Sequence, residues 1–135
     1  MGHGFTGGEN AQVRSTARRV GYLGAAKSGT RDVWLMRLTS VALLFLAIGF
    51  IWIVLSLVGK DLAGVRAVFS HPPVAILMLL FILASIVHMK LGMQSIIDDY
   101  VHAMRAKEWA LIANIFFCIG TGVAAVFAVL KLGGI

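Results

Sequence analysis

Residues 38–58 read LTSVALLFLAIGFIWIVLSLV, a run with no charged residue and no proline. About 20 apolar residues in helical form, rising 1.5 Å each, cross the ~30 Å of hydrocarbon in a bilayer. The run therefore reads as a membrane span, and two more follow it. The second opens at Pro72-Pro73, where a missing N–H costs a helix nothing, and continues from Val74 to about Ile97. The third runs from Ala110 to Leu130, with Asn114 as its main polar group. The expected architecture is an all-α membrane protein with three transmembrane helices at about 35–58, 73–98 and 109–131. The intervening loops, 59–73 and 98–109, are short, so neighbouring helices run antiparallel.

Composition agrees. The chain has 135 residues, of which 59% are hydrophobic and 13% charged, and a mean hydropathy of +0.90. Soluble domains carry roughly a quarter charged residues, so this chain lacks the polar surface to cover a water-soluble globule. Twelve Lys and Arg against six Asp and Glu leave a net +6. In a membrane protein such an excess encodes orientation rather than nucleic-acid binding. Cys118 is the sole cysteine, which excludes an internal disulfide and a thiolate metal cluster within the chain.

Residues 1–33 form a polar, basic N-terminal arm, with Arg14, Arg18, Arg19, Lys27 and Arg31 opposed mainly by Glu9, and residues 34–135 form the anchor domain. The arm reads as flexible or ordered by a partner. The first apolar run lies too far from the start, and is too long, for a secretory signal, although an organellar transit peptide has a similar basic composition. With Arg105 and Lys107 in the second loop, the charge bias places the N-terminus and that loop in the cytoplasm and the C-terminus in the periplasm. Trp34, Trp52 and Trp109 lie near the expected interfaces.

The second span carries the chemistry, because polar groups inside a span are costly and mark function by default. At 100° per residue, Ala84, His88, Gly92, Ser95 and Asp99 share one narrow, small and polar stripe, with Lys90 directed away from it. A histidine on such a face has two uses: an interhelical hydrogen bond, or a metal ligand, most often to haem iron. Small residues one turn either side suit both. No second histidine lies within a span, so a bis-histidine haem requires a partner chain. At the end of this span stand Asp98, Asp99 and Tyr100. They read either as a helix end entering water, with carboxylates paired to Arg105 or Lys107, or as a hydrogen-bonding and proton-handling site for a head group at membrane depth. Arg37, at the mouth of the first span, is either a lipid-phosphate anchor or the partner of an anionic cofactor group. Gly120 and Gly122 suggest close packing, and Asn114 an interhelical hydrogen bond.

The spacing His88, Gly92-Met93, Asp99-Tyr100-Val101 resembles the second-helix signature of the hydrophobic membrane anchor subunits of succinate dehydrogenase, complex II. Asp32, Leu35, Arg37 and Thr39 resemble the D-x-x-L-x-R-x-T opening of that family's first helix, although Arg31 stands where some relatives carry histidine. The resemblance covers about residues 29–130. It implies a chain that is part of a heteromeric helix bundle, with His88 as an axial ligand of haem b shared with a cytochrome b subunit. It further implies Tyr100 on a ubiquinone carbonyl, Asp99 supporting it, and Arg37 near the haem propionates or the quinone. Electrons would come through flavoprotein and iron-sulfur subunits, and the heterotetramer allows a higher oligomer. The implied location is the bacterial inner membrane, or the mitochondrial inner membrane in a eukaryote. With no nucleotide motif and no cysteine set, the chain is not an enzyme alone. A cofactor-free membrane scaffold is the competing reading. A small proton-coupled exporter is a third, disfavoured because the carboxylates sit at a helix end.

Overall fold

A computed structural model describes the backbone of residues 7–135 and the side chains from residue 29 onward. His3 and the side chains of Glu9, Arg14, Arg18, Arg19 and Lys27 lie outside the described residues. Four helices follow in order: α1 (Gly7–Leu57), α2 (Leu62–Phe69), α3 (Pro72–Tyr100) and α4 (Met104–Leu132). The chain divides into two units, Met1–Trp34 and Leu35–Ile135. In the first, the backbone is helical from Gly7, within the stretch that the sequence suggests is an arm. Its Ala, Arg, Gln and Leu residues are good helix formers, and no proline interrupts them.

Three segments are long and apolar enough to cross a membrane: Gly29–Leu57, Pro72–Tyr100 and Met104–Leu132, with mean hydropathies of 2.6, 2.4 and 2.2. A helix satisfies its backbone groups internally, and a segment in hydrocarbon must do so. The expected spans are present but longer than their apolar cores. Between α3 and α4 only residues 101–103 remain, in place of the twelve-residue loop that apolarity alone suggested. Asp98, Asp99 and Tyr100 prolong α3, and the good helix formers Met104, Arg105, Ala106, Lys107 and Glu108 begin α4. α3 starts at Pro72 with proline in its first turn, as expected.

The first connection contains a helix that hydropathy did not reveal. α1 ends at Leu57, and Gly59 takes the left-handed φ of +77° that lets the chain turn sharply. Asp61 then caps α2, its Oδ1 accepting the Gly64 N–H at 2.8 Å. Phe69, at the end of α2, is buried. Its carbonyl lies so near Gly133 that a Cβ there would approach it to 3.3 Å, so α2 closes the end of the bundle against the end of α4.

Within the second unit α3 is central. Against α1, Phe81 stacks on Phe50 with ring centroids 4.6 Å apart, and Leu77 fills the space left by Gly49. Against α4, Ile86 fills the space left by Gly122. On α1 Gly49 meets Leu77 while Thr39 meets His88, and on α4 Gly122 meets Ile86 while Asn114 meets the Lys90 carbonyl, so α1 and α4 both run antiparallel to α3, and Leu35, Tyr100 and Met104 share one end. Few side chains are buried: Ile53, Phe69, Leu91, Ile97, Cys118 and Val129 make up the apolar core among the described residues. Large groups such as Phe45, Trp52, Phe116 and Phe117 are more than 60% exposed, which suits lipid or partner chains outside the bundle.

The two glycines of α4 that suggested close packing differ. A Cβ at Gly122 would strike Ile86, whereas at Gly120 nothing lies within 4 Å. Gly122→Val is therefore expected to destabilise the chain by about 1–3 kcal/mol through overpacking. Gly120→Val should stay within about 0.5 kcal/mol. Unfolding of the isolated chain in mixed detergent micelles distinguishes the two.

Candidate functional site

His88 lies on the α1-facing side of α3, half-buried, with its Nδ1 3.1 Å from Thr39 Oγ1. Thr39 is itself buried, 8% exposed. The surrounding distances identify the donor. Thr39 Oγ1 lies 2.8 Å from the Leu35 carbonyl and 3.1 Å from the Met36 carbonyl, and the Met36 carbonyl also accepts from Ser40 Oγ at 2.8 Å. Two oxygens at 2.8 Å need a proton between them, and a carbonyl has none to give. The single Thr39 proton therefore lies toward the backbone, the usual habit of a hydroxyl on a helix. The proton in the Thr39–His88 bond comes from the imidazole, Nδ1–H donating to Oγ1. A neutral ring protonated at Nδ1 keeps a lone pair on Nε2. No protein group among the described residues bonds to Nε2.

The sequence posed hydrogen bond and metal ligand as alternatives for His88. The two ring nitrogens make them compatible, one held by α1 and the other open. Gly92, one turn along, keeps the adjacent surface low: a Cβ there would meet only Met36 Cε, at 3.9 Å. The residues thus fit a flat, iron-centred macrocycle ligated by Nε2, and among the described residues no cluster of three His, Cys, Asp or Glu offers a different metal site. Thr39 was visible in the first-helix motif but carried no assigned role. A hydroxyl in an otherwise apolar run was the signal available.

α4 holds the same level of α3 from the other side. Asn114, 7% exposed, donates from Nδ2 to the Lys90 carbonyl at 3.0 Å, and Cys118 Sγ donates to Asn114 Oδ1 at 3.4 Å. The interhelical bond expected of Asn114 is present, and the thiol is occupied in supporting it. Ser95, on the same stripe as His88, turns back to the Leu91 carbonyl at 3.1 Å.

The end of α3 divides its two carboxylates. Asp98 Oδ1 pairs with Lys107 Nζ at 2.8 Å across the turn to α4. Asp99 and Tyr100 are exposed, Tyr100 at 76%, and among the described residues neither has a hydrogen-bond or ion-pair partner. The same holds for Arg37, which is exposed two residues from Thr39, about 3 Å along the helix axis. Tyr100 is twelve residues beyond His88, about 18 Å along α3. Arg37 thus belongs to the level of His88, while Asp99 and Tyr100 form a separate group at the end of the helix.

Residues 13–128 match the family described as succinate dehydrogenase/fumarate reductase transmembrane subunit. The chain is 32% identical over 111 residues to the succinate dehydrogenase hydrophobic membrane anchor subunit of Paracoccus denitrificans, covering 82% of this chain and 85% of that protein. With the subunit of the same name from Rickettsia bellii it shares 30% over 110 residues, 82% of this chain and 88% of the relative.

The Asn114 bond yields a test of how the site is held. Asn114→Leu removes both the donor to the Lys90 carbonyl and the acceptor of the weakly polar Cys118 thiol, and should cost about 1 kcal/mol, the scale of an interhelical hydrogen bond in a membrane. Mixed-micelle unfolding measures it, and Lys107→Ala, which breaks a partly exposed pair, serves as a control that should cost no more than about 1 kcal/mol.

Proposed function

Because the chain belongs to the family of succinate dehydrogenase/fumarate reductase transmembrane subunits, we propose that it anchors a succinate:quinone oxidoreductase, co-ligates its haem b and completes its ubiquinone site. The observation that carries this reading is the His88 ring, tied at Nδ1 to Thr39, its Nε2 without a partner among the described residues and beside the low surface at Gly92. His88 would hold the iron through Nε2, and a partner cytochrome b subunit would supply a second ligand. When bound, the haem supplies a one-electron redox centre. Arg37, one helical turn or less from the level of His88, offers its guanidinium fork to a propionate.

Quinone reduction takes up two protons, and the end of α3 has the groups to manage them. The Tyr100 phenol is a neutral donor at pH 7 and binds a carbonyl oxygen by donating to it. Asp99, adjacent and without a cationic partner among the described residues, is available to accept a proton from water and deliver it to the reduced oxygen. Asp98 is engaged by Lys107 and serves to join α3 to α4 instead. The remaining subunits, a flavoprotein and an iron-sulfur protein, bring electrons from succinate. The anchor lies in the inner membrane, with its Tyr100 end in the cytoplasm and its C-terminus in the periplasm, the orientation that the Lys and Arg excess favours.

The Thr39–His88 bond alone also suits a second reading, a cofactor-free scaffold in which His88 only joins two helices. A reduced-minus-oxidised visible spectrum of the detergent-solubilised complex, with its partner chains identified, separates the two. The haem reading expects a b-type spectrum that is lost or altered in His88→Ala. The scaffold reading expects an unchanged one. For the quinone site, Tyr100→Phe should lower kcat/KM for ubiquinone about 10-fold, the equivalent of one hydrogen bond. Asp99→Asn should slow reduction by about 100-fold or more, while Asp98→Asn leaves the rate close to wild type.

A further inference from the structure

Thr39 places a hydroxyl where apolar packing and lipid contact would be served as well by a hydrocarbon side chain. It is buried at the level of His88, its hydroxyl proton is committed to its own backbone, and its oxygen faces an imidazole on another helix. A valine has nearly the same volume and is better suited to hydrocarbon, so the hydroxyl has its use in the bond. An acceptor on Nδ1–H does two things for a histidine whose other nitrogen ligates a metal. It selects the tautomer and ring orientation, and it makes the ligating nitrogen more basic. The acceptor here is delivered by α1, the ligand by α3, so the contact also couples the position of the first span to the site.

We propose that Thr39 is the positioning residue of His88: its hydroxyl oxygen accepts the Nδ1 proton, holds the ring in the Nδ1–H tautomer and presents Nε2 to the haem iron. This rests on the assignment of His88 as a ligand. The role is narrower than that of a space filler, because only an oxygen with a free lone pair at that point performs it. Serine keeps the oxygen and loses a methyl group. Valine keeps the shape and loses the acceptor. The two variants therefore separate hydrogen bonding from packing.

The test uses the whole assembled complex in detergent, comparing wild type, Thr39→Val, Thr39→Ser and His88→Ala for haem content, visible spectrum and haem midpoint potential. Thr39→Val is expected to retain haem about 10–100-fold less tightly, as loss of an outer-shell partner does. Its residual haem should have a higher potential, because a less basic ligand stabilises the oxidised iron less. Thr39→Ser should restore both towards wild type. Wild-type haem content, spectrum and potential in Thr39→Val, with His88→Ala deficient, would overturn the positioning role and leave the ligand assignment standing. A wild-type spectrum in His88→Ala overturns the assignment, and the proposal with it. Should Thr39→Val fail to assemble, nitrogen-15 NMR of histidine-labelled wild-type complex in the reduced state decides, with His88 identified by its loss in His88→Ala. An Nδ1–H proton resonance moved downfield by hydrogen bonding is expected, and one at the position of an N–H without an acceptor, or an Nδ1 without its proton, overturns the proposal.

Discussion

A polar group in hydrocarbon has no water to bond with, and this cost organises the whole chain. It forces the backbone into helices, since only there does each amide find a partner within its own segment. It then applies to each side-chain oxygen and nitrogen placed at membrane depth. Among the described residues no buried side-chain polar atom lacks a partner. Ser56 turns back to the Ile53 carbonyl, and Ser95 to that of Leu91. Those bonds stay within one helix and cost the fold little. Thr39, His88 and Asn114 bond between helices, and so the same requirement that makes the spans also fixes how they meet.

The result is a central helix held from both sides at nearly one level. Thr39 reaches His88 from α1, and Asn114 reaches the Lys90 carbonyl from α4, two residues further along. Apolar contacts complete the register, with Ile86 seated over Gly122 and Leu77 over Gly49. The bundle is nevertheless thin. With so few buried side chains, much of its surface is available to lipid and to the chains with which an anchor subunit assembles. A site built on α3 is rigid on its α1 and α4 sides and open elsewhere. That arrangement suits a group shared with a partner.

The two carboxylates at the end of α3 have different partners for a simple geometric reason. Asp98 and Asp99 are neighbours in sequence but about 100° apart around the helix. One therefore faces the start of α4, where Lys107 waits, and the other does not. The pair at Asp98 closes the three-residue turn between α3 and α4, and Asp99 is left beside Tyr100 with its charge uncompensated by the described protein. Pairing of these carboxylates with Arg105 or Lys107 was one of two readings open from the sequence, and among the described residues Asp98 alone is so paired.

Much was legible in the residues alone. The absence of charge from 38 to 58, the proline pair at 72 and 73, and the stripe from Ala84 to Asp99 determined three spans, their antiparallel order and the candidate site, because hydrocarbon punishes each exception. Helix ends were less legible: hydropathy marks where the membrane core stops, whereas a helix continues as long as helix-forming residues follow, as at Met104–Glu108. α2 escaped notice because its eight residues are far too few to cross a membrane, the property by which the other helices stand out. What the tertiary structure alone decided was which polar groups meet. Thr39 and His88 are separated by 49 residues, and Lys107 takes Asp98 rather than Asp99. Spacing along one helix specifies a face. Only the neighbouring helix, set against it in a particular register, specifies the partner on that face, and with it which histidine nitrogen is left free.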